Sequence, residues 1–311
     1  MTDIATQNNP LHDNASPTIP AGNSGRATFI RVGLRWLLYL ILGLFALYYL
    51  MPLFVMVTTS LKSLEEIRTG SLVALPREVT FGAWSVAWST ACTGIQCEGL
   101  RPYFWNSVLM AVPALVISTL IGALNGYVVA QWRFRGSNLI FALLLFGCFI
   151  PFQVVLLPMA RVLGIMELAG SIGGLIFVHV IYGIGFTTLF FRNYYVTIPI
   201  ELVKAAKVDG ASFLRIFFSI FLPLSLPIIV VTVIWQFTQI WNDFLFGVSF
   251  SQAGTQPVTV ALNNIVNSTT GVKEYNVDMA AAIIAALPTL LVYVVAGKYF
   301  IRGLTAGSVK G

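Results

Sequence analysis

The chain has 311 residues, of which 57% are hydrophobic and only 10% charged, where a soluble domain carries about 25% charged residues. That composition excludes an ordinary soluble domain, and the long continuous apolar runs exclude a β-barrel, whose strands are short and alternating. The net charge of +6 comes from basic residues spread along the ends of apolar runs, so nucleic-acid binding finds no support.

Residues 1–28 are rich in Asn, Pro, Ser and Thr and hold little to bury, which predicts a disordered N-terminal segment. They do not form a cleavable signal peptide, because the first apolar run begins only near Leu34, is too long, and lacks a cleavage site. The membrane domain is expected over residues 29–311. Within it, six segments reach the roughly 20 apolar residues that a helix needs to cross a bilayer: Leu34–Val57, Phe104–Ala130, Asn138–Leu163, Ile172–Phe191, Leu224–Val248 and Met279–Tyr299. The predicted fold class is all-α and polytopic, with six transmembrane helices.

Cys92 and Cys97, in "ACTGIQCEGL", fall on the side predicted to be external, where thiols oxidise. A small disulfide loop is preferred over two free thiols, and over half a metal site that has no histidine nearby. Cys148, inside the third span, is expected to serve as a small hydrophobe. His179, inside the fourth, either has a functional role or hydrogen-bonds a neighbouring helix, and the second reading is preferred. The sequence offers no phosphate-binding loop, nucleophile elbow or metal pair at helical spacing. The chain is therefore expected to be non-catalytic, with no cofactor and no metal of its own.

Basic residues set the orientation. Twelve of the eighteen Lys and Arg lie with the N-terminus, Arg133–Arg135, Arg192–Pro223 and the C-terminal tail, against four Asp and Glu. The opposite loops carry six basic and seven acidic residues. Both termini are thus expected in the cytoplasm of a multi-pass protein surrounded by membrane lipid.

The loop Arg192–Pro223 interrupts the apolar pattern. Pro199 opens a short helix with Glu201 in its first turn, where the helix dipole favours a carboxylate. The helix is expected over Glu201–Asp209 and ends at Gly210, a residue able to take the left-handed conformation. Ser212 caps a second helix whose Phe213, Ile216, Phe217, Ile220 and Phe221 form one apolar stripe. Such a stripe must be buried, against the bundle or in the membrane interface.

The stretch "KAAKVDGASFLRIFFSIFLPLSLP" resembles the EAA loop of binding-protein-dependent ABC importer permeases, a pattern of the form E-A-A-x-x-D-G-A followed by an apolar run to L-P. Ala205, Ala206, Asp209, Gly210, Ala211, Leu222 and Pro223 match it. Lys204 stands where the family usually has Glu, and Glu201 lies one turn earlier. "FWNSV", "IPFQVVLLP", "WNDFLFG" and the closing "GLTAGSVKG" extend the resemblance, the last being similar to maltose-type (MalG-like) carbohydrate permeases. The resemblance implies a type I ABC importer permease in a bacterial inner membrane. Its partners would be a second permease subunit, two cytoplasmic ATPase subunits that hold the ATP, and a periplasmic sugar-binding protein. It also implies that the helix around Ala205–Gly210 is a coupling helix that docks on an ATPase, with the Gly-rich tail either reaching the ATPases or remaining solvated.

In the fifth span, 100° per residue gathers Thr232, Trp235, Gln236, Gln239, Asn242, Asp243 and Phe246 on one face. Amides, a carboxylate and an aromatic suit the hydroxyls and C–H face of a sugar. This face either lines the solute pathway or joins helices. The resemblance points to a sugar, such as the monosaccharide glucose, without fixing which solute. The competing function is an ion-coupled secondary transporter with Asp243 as its coupling site. The sequence shows no convincing internal repeat of the kind such transporters often carry.

Overall fold

The computed structural model describes residues 24–308 except 95, 133–134 and 269–271. The expectation of disorder over 1–28 lies outside the described residues as far as 23, and Ser24–Thr28 already belong to a helix. Fourteen helices appear among the described residues: α1 (Ser24–Ser60), α2 (Leu64–Thr69), α3 (Gly82–Ser89), α4 (Arg101–Gln131), α5 (Ser137–Cys148), α6 (Phe152–Ile165), α7 (Ile172–Tyr195), α8 (Ile200–Val208), α9 (Phe213–Ile216), α10 (Leu222–Leu224), α11 (Leu226–Trp241), α12 (Leu245–Phe250), α13 (Val258–Val266) and α14 (Tyr275–Ser308). A π-helical turn, Phe217–Phe221, joins α9 to α10. The chain divides into two units, residues 1–53 and 54–311. The first holds most of α1, and the second holds every element from α2 onward.

Four helices, α1, α4, α7 and α14, are long and apolar enough to span a membrane alone. The other two predicted spans are broken. Asn138–Leu163 is not one helix: α5 and α6 meet at a 103° bend. Pro151 sits at the break, where it cannot donate a backbone hydrogen bond and pushes Ile150 away from helical geometry. Leu224–Val248 is also interrupted. Its membrane helix, α11, begins at a 76° bend after α10 and stops at Trp241, and the chain turns before α12.

The most extensive helix pairing among the described residues of the second unit is α4 on α7. Gly122 and Gly126 lie one turn apart in "GALNG", and a Cβ on either would strike the partner backbone: 2.9 Å from the Thr187 carbonyl carbon, and 2.8 Å from Arg192 N. Such a seam works in a membrane because small residues let backbones approach and gain dispersion. Thr187 seals it, its hydroxyl donating to the carbonyls of Ser118 at 3.0 Å and Gly183 at 2.9 Å.

Two buried clusters flank the seam. One, which includes Leu100, Met110, Trp241, Phe246 and Phe250, lies toward the start of α4. There Asn106 Nδ2 donates to the carbonyls of Gly254 and Gln256, and Ser107 Oγ accepts from Val258 N–H at 2.8 Å. The other cluster gathers Tyr127, Phe191, Tyr195, Phe217 and Phe221 near the opposite end. In the segment between α3 and α4, Cys92 and Cys97 form a disulfide with their Cα atoms 3.8 Å apart. The loop it closes is short, so it removes little unfolded-chain entropy.

Candidate functional site

Two places gather the residues singled out in the sequence. The first is the elbow between α8 and α9. Pro199 precedes α8, Glu201 lies in its first turn and Lys207 in its last. Gly210 has φ +75°. Its N–H donates to Lys207 O at 3.1 Å, and Ala211 N–H donates to Ala206 O at 2.9 Å. These paired bonds form a Schellman motif, which needs a left-handed residue at this position. Ser212 then caps α9, its hydroxyl accepting from Arg215 N–H.

Only Val203 and Ala206 of α8 are buried. Glu201, Lys204, Ala205, Lys207 and Asp209 are exposed, and Val208 is 87% exposed. Ala211 is half-buried. Ala206 therefore points into the core rather than outward with its motif neighbours. The apolar stripe of the second short helix is covered as expected. Tyr127 of α4 lies 4.5 Å from Phe213, 5.2 Å from Phe217 and 4.7 Å from Phe221, ring centre to ring centre.

Three tyrosines of α4 and α7 brace the segment that runs from α9 to the bend between α10 and α11. Tyr127 OH donates to Phe213 O at 3.0 Å, and Tyr194 OH to Leu224 O at 2.8 Å. Ser225 Oγ donates to Tyr195 OH at 2.9 Å. Sequence reasoning passed over these tyrosines, and the adjacent pair at the end of α7 was the available signal.

The second place is a cavity of about 130 Å³ where α7, α11 and α12 meet the α5–α6 break. Trp235, Gln236, Gln239 and Phe246 line it, as does His179. The predicted face does not continue past Trp241, because the helix ends there. Asn242 is exposed and 3.5 Å from Thr289 Oγ1, outside the cavity. Asp243 caps α12, accepting from Phe246 N–H at 3.3 Å and Gly247 N–H at 3.0 Å. Thr232 returns its hydroxyl to Ile228 O. Trp235 packs on Phe186 with ring centres 4.5 Å apart. His179 departs from expectation: it is buried, but its Nε2 hydrogen-bonds no neighbouring helix and lies 3.8 Å from Asp243 Oδ2.

Residues 100–305 match the family described as binding-protein-dependent transport system inner membrane component. The chain belongs to that family. The permease is 42% identical over 89% of its length to a probable ABC transporter permease protein of Pyrococcus horikoshii, covering 98% of it. It is 34% identical to the xylose/arabinose import permease protein XacI of Haloferax volcanii, over 86% of this chain and 90% of that one. The glucose import system permease protein GlcU of Saccharolobus solfataricus is 31% identical over 88% and 95% of the two chains. Among solved structures, a chain of a bacterial ABC transporter that imports the acidic polysaccharide alginate superposes with a TM-score of 0.74 at 22% identity, covering 91% of this chain and all of that one.

The architecture is thus the type I importer permease fold in a multi-pass membrane protein. Family membership also replaces the ion-coupled alternative, whose proposed site, Asp243, is engaged as a helix cap.

Proposed function

We propose that this permease is a membrane subunit of an ATP-driven sugar importer, with α8 as the element that docks on a cytoplasmic ATPase. The observation that carries this reading is the bare outer face of α8, ended by a left-handed glycine and packed through Val203 and Ala206 into the buried cluster that holds Tyr127 of α4. A short helix exposed on most of its circumference and rigidly held behind is suited to a partner's cleft. ATP would be bound and hydrolysed on two partner ATPases, and this chain would change orientation with them. A second permease would complete the pathway, and an external sugar-binding protein would deliver the solute. Glu201, Lys204, Ala205, Asp209 and Gly210 would meet the ATPase, with Ala206 supporting them from inside. The sugar class follows from the named relatives that import glucose and xylose or arabinose.

The test is reconstitution of the four-subunit complex in proteoliposomes with its binding protein outside. Uptake of D-glucose, D-xylose or L-arabinose should require both internal ATP and the binding protein. Uptake that survives ATP depletion and collapses with an uncoupler would overturn the proposal.

The elbow and both termini are placed in the cytoplasm of a cell with this permease in its plasma membrane, on the charge asymmetry alone. In a cysteine-free background, a cysteine replacing exposed Glu78 should react with an impermeant thiol reagent on intact cells, the outer membrane being permeabilised where there is one. One replacing exposed Lys207 should not. The reverse pattern inverts the topology.

A further inference from the structure

The chain between the elbow and α11 leaves α-helical geometry twice between Phe217 and Leu226. In the π-turn the Leu222 N–H donates to Phe217 O, one residue further back than in an α-helix, a form that recurs at functional positions. The 76° bend between α10 and α11 comes next. Pro223 and Pro227 flank it, and neither has an N–H to carry the helical ladder across. Ser225 N–H donates to Leu222 O at 3.1 Å and Ile229 N–H to Ser225 O at 2.8 Å. With two donors missing beside them, the angle of the bend depends on side chains.

Those side chains come from the last turn of α7. Tyr194 OH donates to Leu224 O at 2.8 Å, just before the bend. Tyr195 OH pairs with Ser225 Oγ at 2.9 Å, and that same oxygen lies within hydrogen-bond reach of Phe221 O at the end of the π-turn. Neighbouring residues of a helix point about 100° apart, so the pair grips the bend at two points. Tyr195 and Ser225 are fully buried, and Tyr194 is half-buried. Phenylalanine would fill the same space without the cost of burying a hydroxyl. The hydroxyls are accounted for by what they hold. The helix that bears them is itself locked to α4 along the Gly122 and Gly126 seam.

The helix beyond the bend joins the two ends of the unit. Ile228 and Ile229 pack on the cluster around Tyr127, and Trp241 is buried in the cluster toward the start of α4. A loose joint at Ser225 would absorb a movement of the elbow, and a fixed one passes it along α11.

We infer that Tyr194 and Tyr195 are positioning residues for transport: they clamp the bend, so that movement at the elbow turns α11 instead of flexing the joint. The inference rests on the reading of α8 as the ATPase-docking helix, and it names the joint through which that helix acts on α11.

The test uses the assembled transporter in lipid nanodiscs, with its binding protein added as purified. The double variant Tyr194→Phe/Tyr195→Phe keeps both rings and removes both hydroxyls. Amide exchange across Leu222–Ile229 should quicken about tenfold, the scale of losing one hydrogen bond. The second readout is the ratio of ATP hydrolysis with and without the binding protein, which should fall several-fold. Hydrolysis without the binding protein should persist, because α8 is untouched. A packing role would lower the amount of complex without moving that ratio. If the double variant assembles poorly, Tyr194→Phe at the half-buried position carries the same two readouts.

Unchanged exchange in assembled complexes would overturn the clamp, whatever the ATPase does. Faster exchange with an unchanged ratio would overturn its part in transmission. Both outcomes leave the α8 reading standing, which Gly210→Val tests separately. A wild-type complex whose ATPase ignores the binding protein overturns the importer reading and the role of the clamp together.

Discussion

Gly210→Val should abolish ATP-driven uptake while the permease remains in the membrane at near-normal amounts. Gly210 has φ +75°, a conformation that costs an L-residue about 1–2 kcal/mol and a β-branched one more. Nothing lies within 4 Å of where its Cβ would be, so the penalty is conformational and not a collision. The chain can relieve it only by leaving the left-handed region, which breaks the bonds Gly210 N–H to Lys207 O and Ala211 N–H to Ala206 O. Breaking them swings α8 relative to α9, while the spans and the disulfide-bearing segment are untouched. Gly210→Asn is the control, because Asn tolerates the left-handed conformation better than other side chains. It should retain most uptake. Normal uptake by the Val variant with ATPase bound would remove α8 from the coupling role.

Gly122→Leu should fail earlier, at the level of the folded protein. Its Cβ would sit 2.9 Å from the Thr187 carbonyl carbon, where carbon atoms pack at about 3.5–4.0 Å. Main chain cannot rotate away as a side chain can, so α4 and α7 must separate along the seam that Gly126 continues. Overpacking of this kind typically costs about 1–3 kcal/mol, and more where backbone must move. The expected readout is a large loss of monodisperse protein extracted from membranes and a lowered melting temperature. Gly147→Leu makes the contrast, since a Cβ there meets nothing within 4 Å. Equal yields of the two variants would show that the α4–α7 seam tolerates separation.

Much of this was legible in the sequence. The long spans, the turn at Gly210 and the buried stripe beginning at Phe213 each depend on local chemistry: run length, a permissive backbone, and helical spacing. What escaped were the interruptions. Hydrophobicity is the same for a straight span as for a bent one, so Asn138–Leu163 looked continuous. Pro151 marks its break, yet Pro52, Pro113, Pro158 and Pro288 all lie inside helices. Proline alone does not separate the two outcomes in a membrane, where neighbouring groups re-satisfy the freed carbonyls. Among the candidate residues, Trp235, Gln236 and Gln239 reached one cavity because they precede the end of α11. Asn242 and Asp243 did not, because a 100° wheel assumes a helix that has not yet ended. His179 was not grouped with them for a related reason. Its place beside Phe246 depends on the turn after Trp241, which no property of α7 encodes.

One consequence follows from how α4 is held. Tyr127 fixes one end to the elbow, while Asn106 and Ser107 fix the other to the loop running from Gly254 to Val258. From Asn106 to Tyr127 the helix climbs about 31 Å at 1.5 Å per residue. A rod pinned at both ends behaves as a lever: a tilt of about 5° displaces one anchor by about 3 Å relative to the other. Carried as one stiff unit, α4 would turn a movement at the elbow into a displacement at Gly254–Val258.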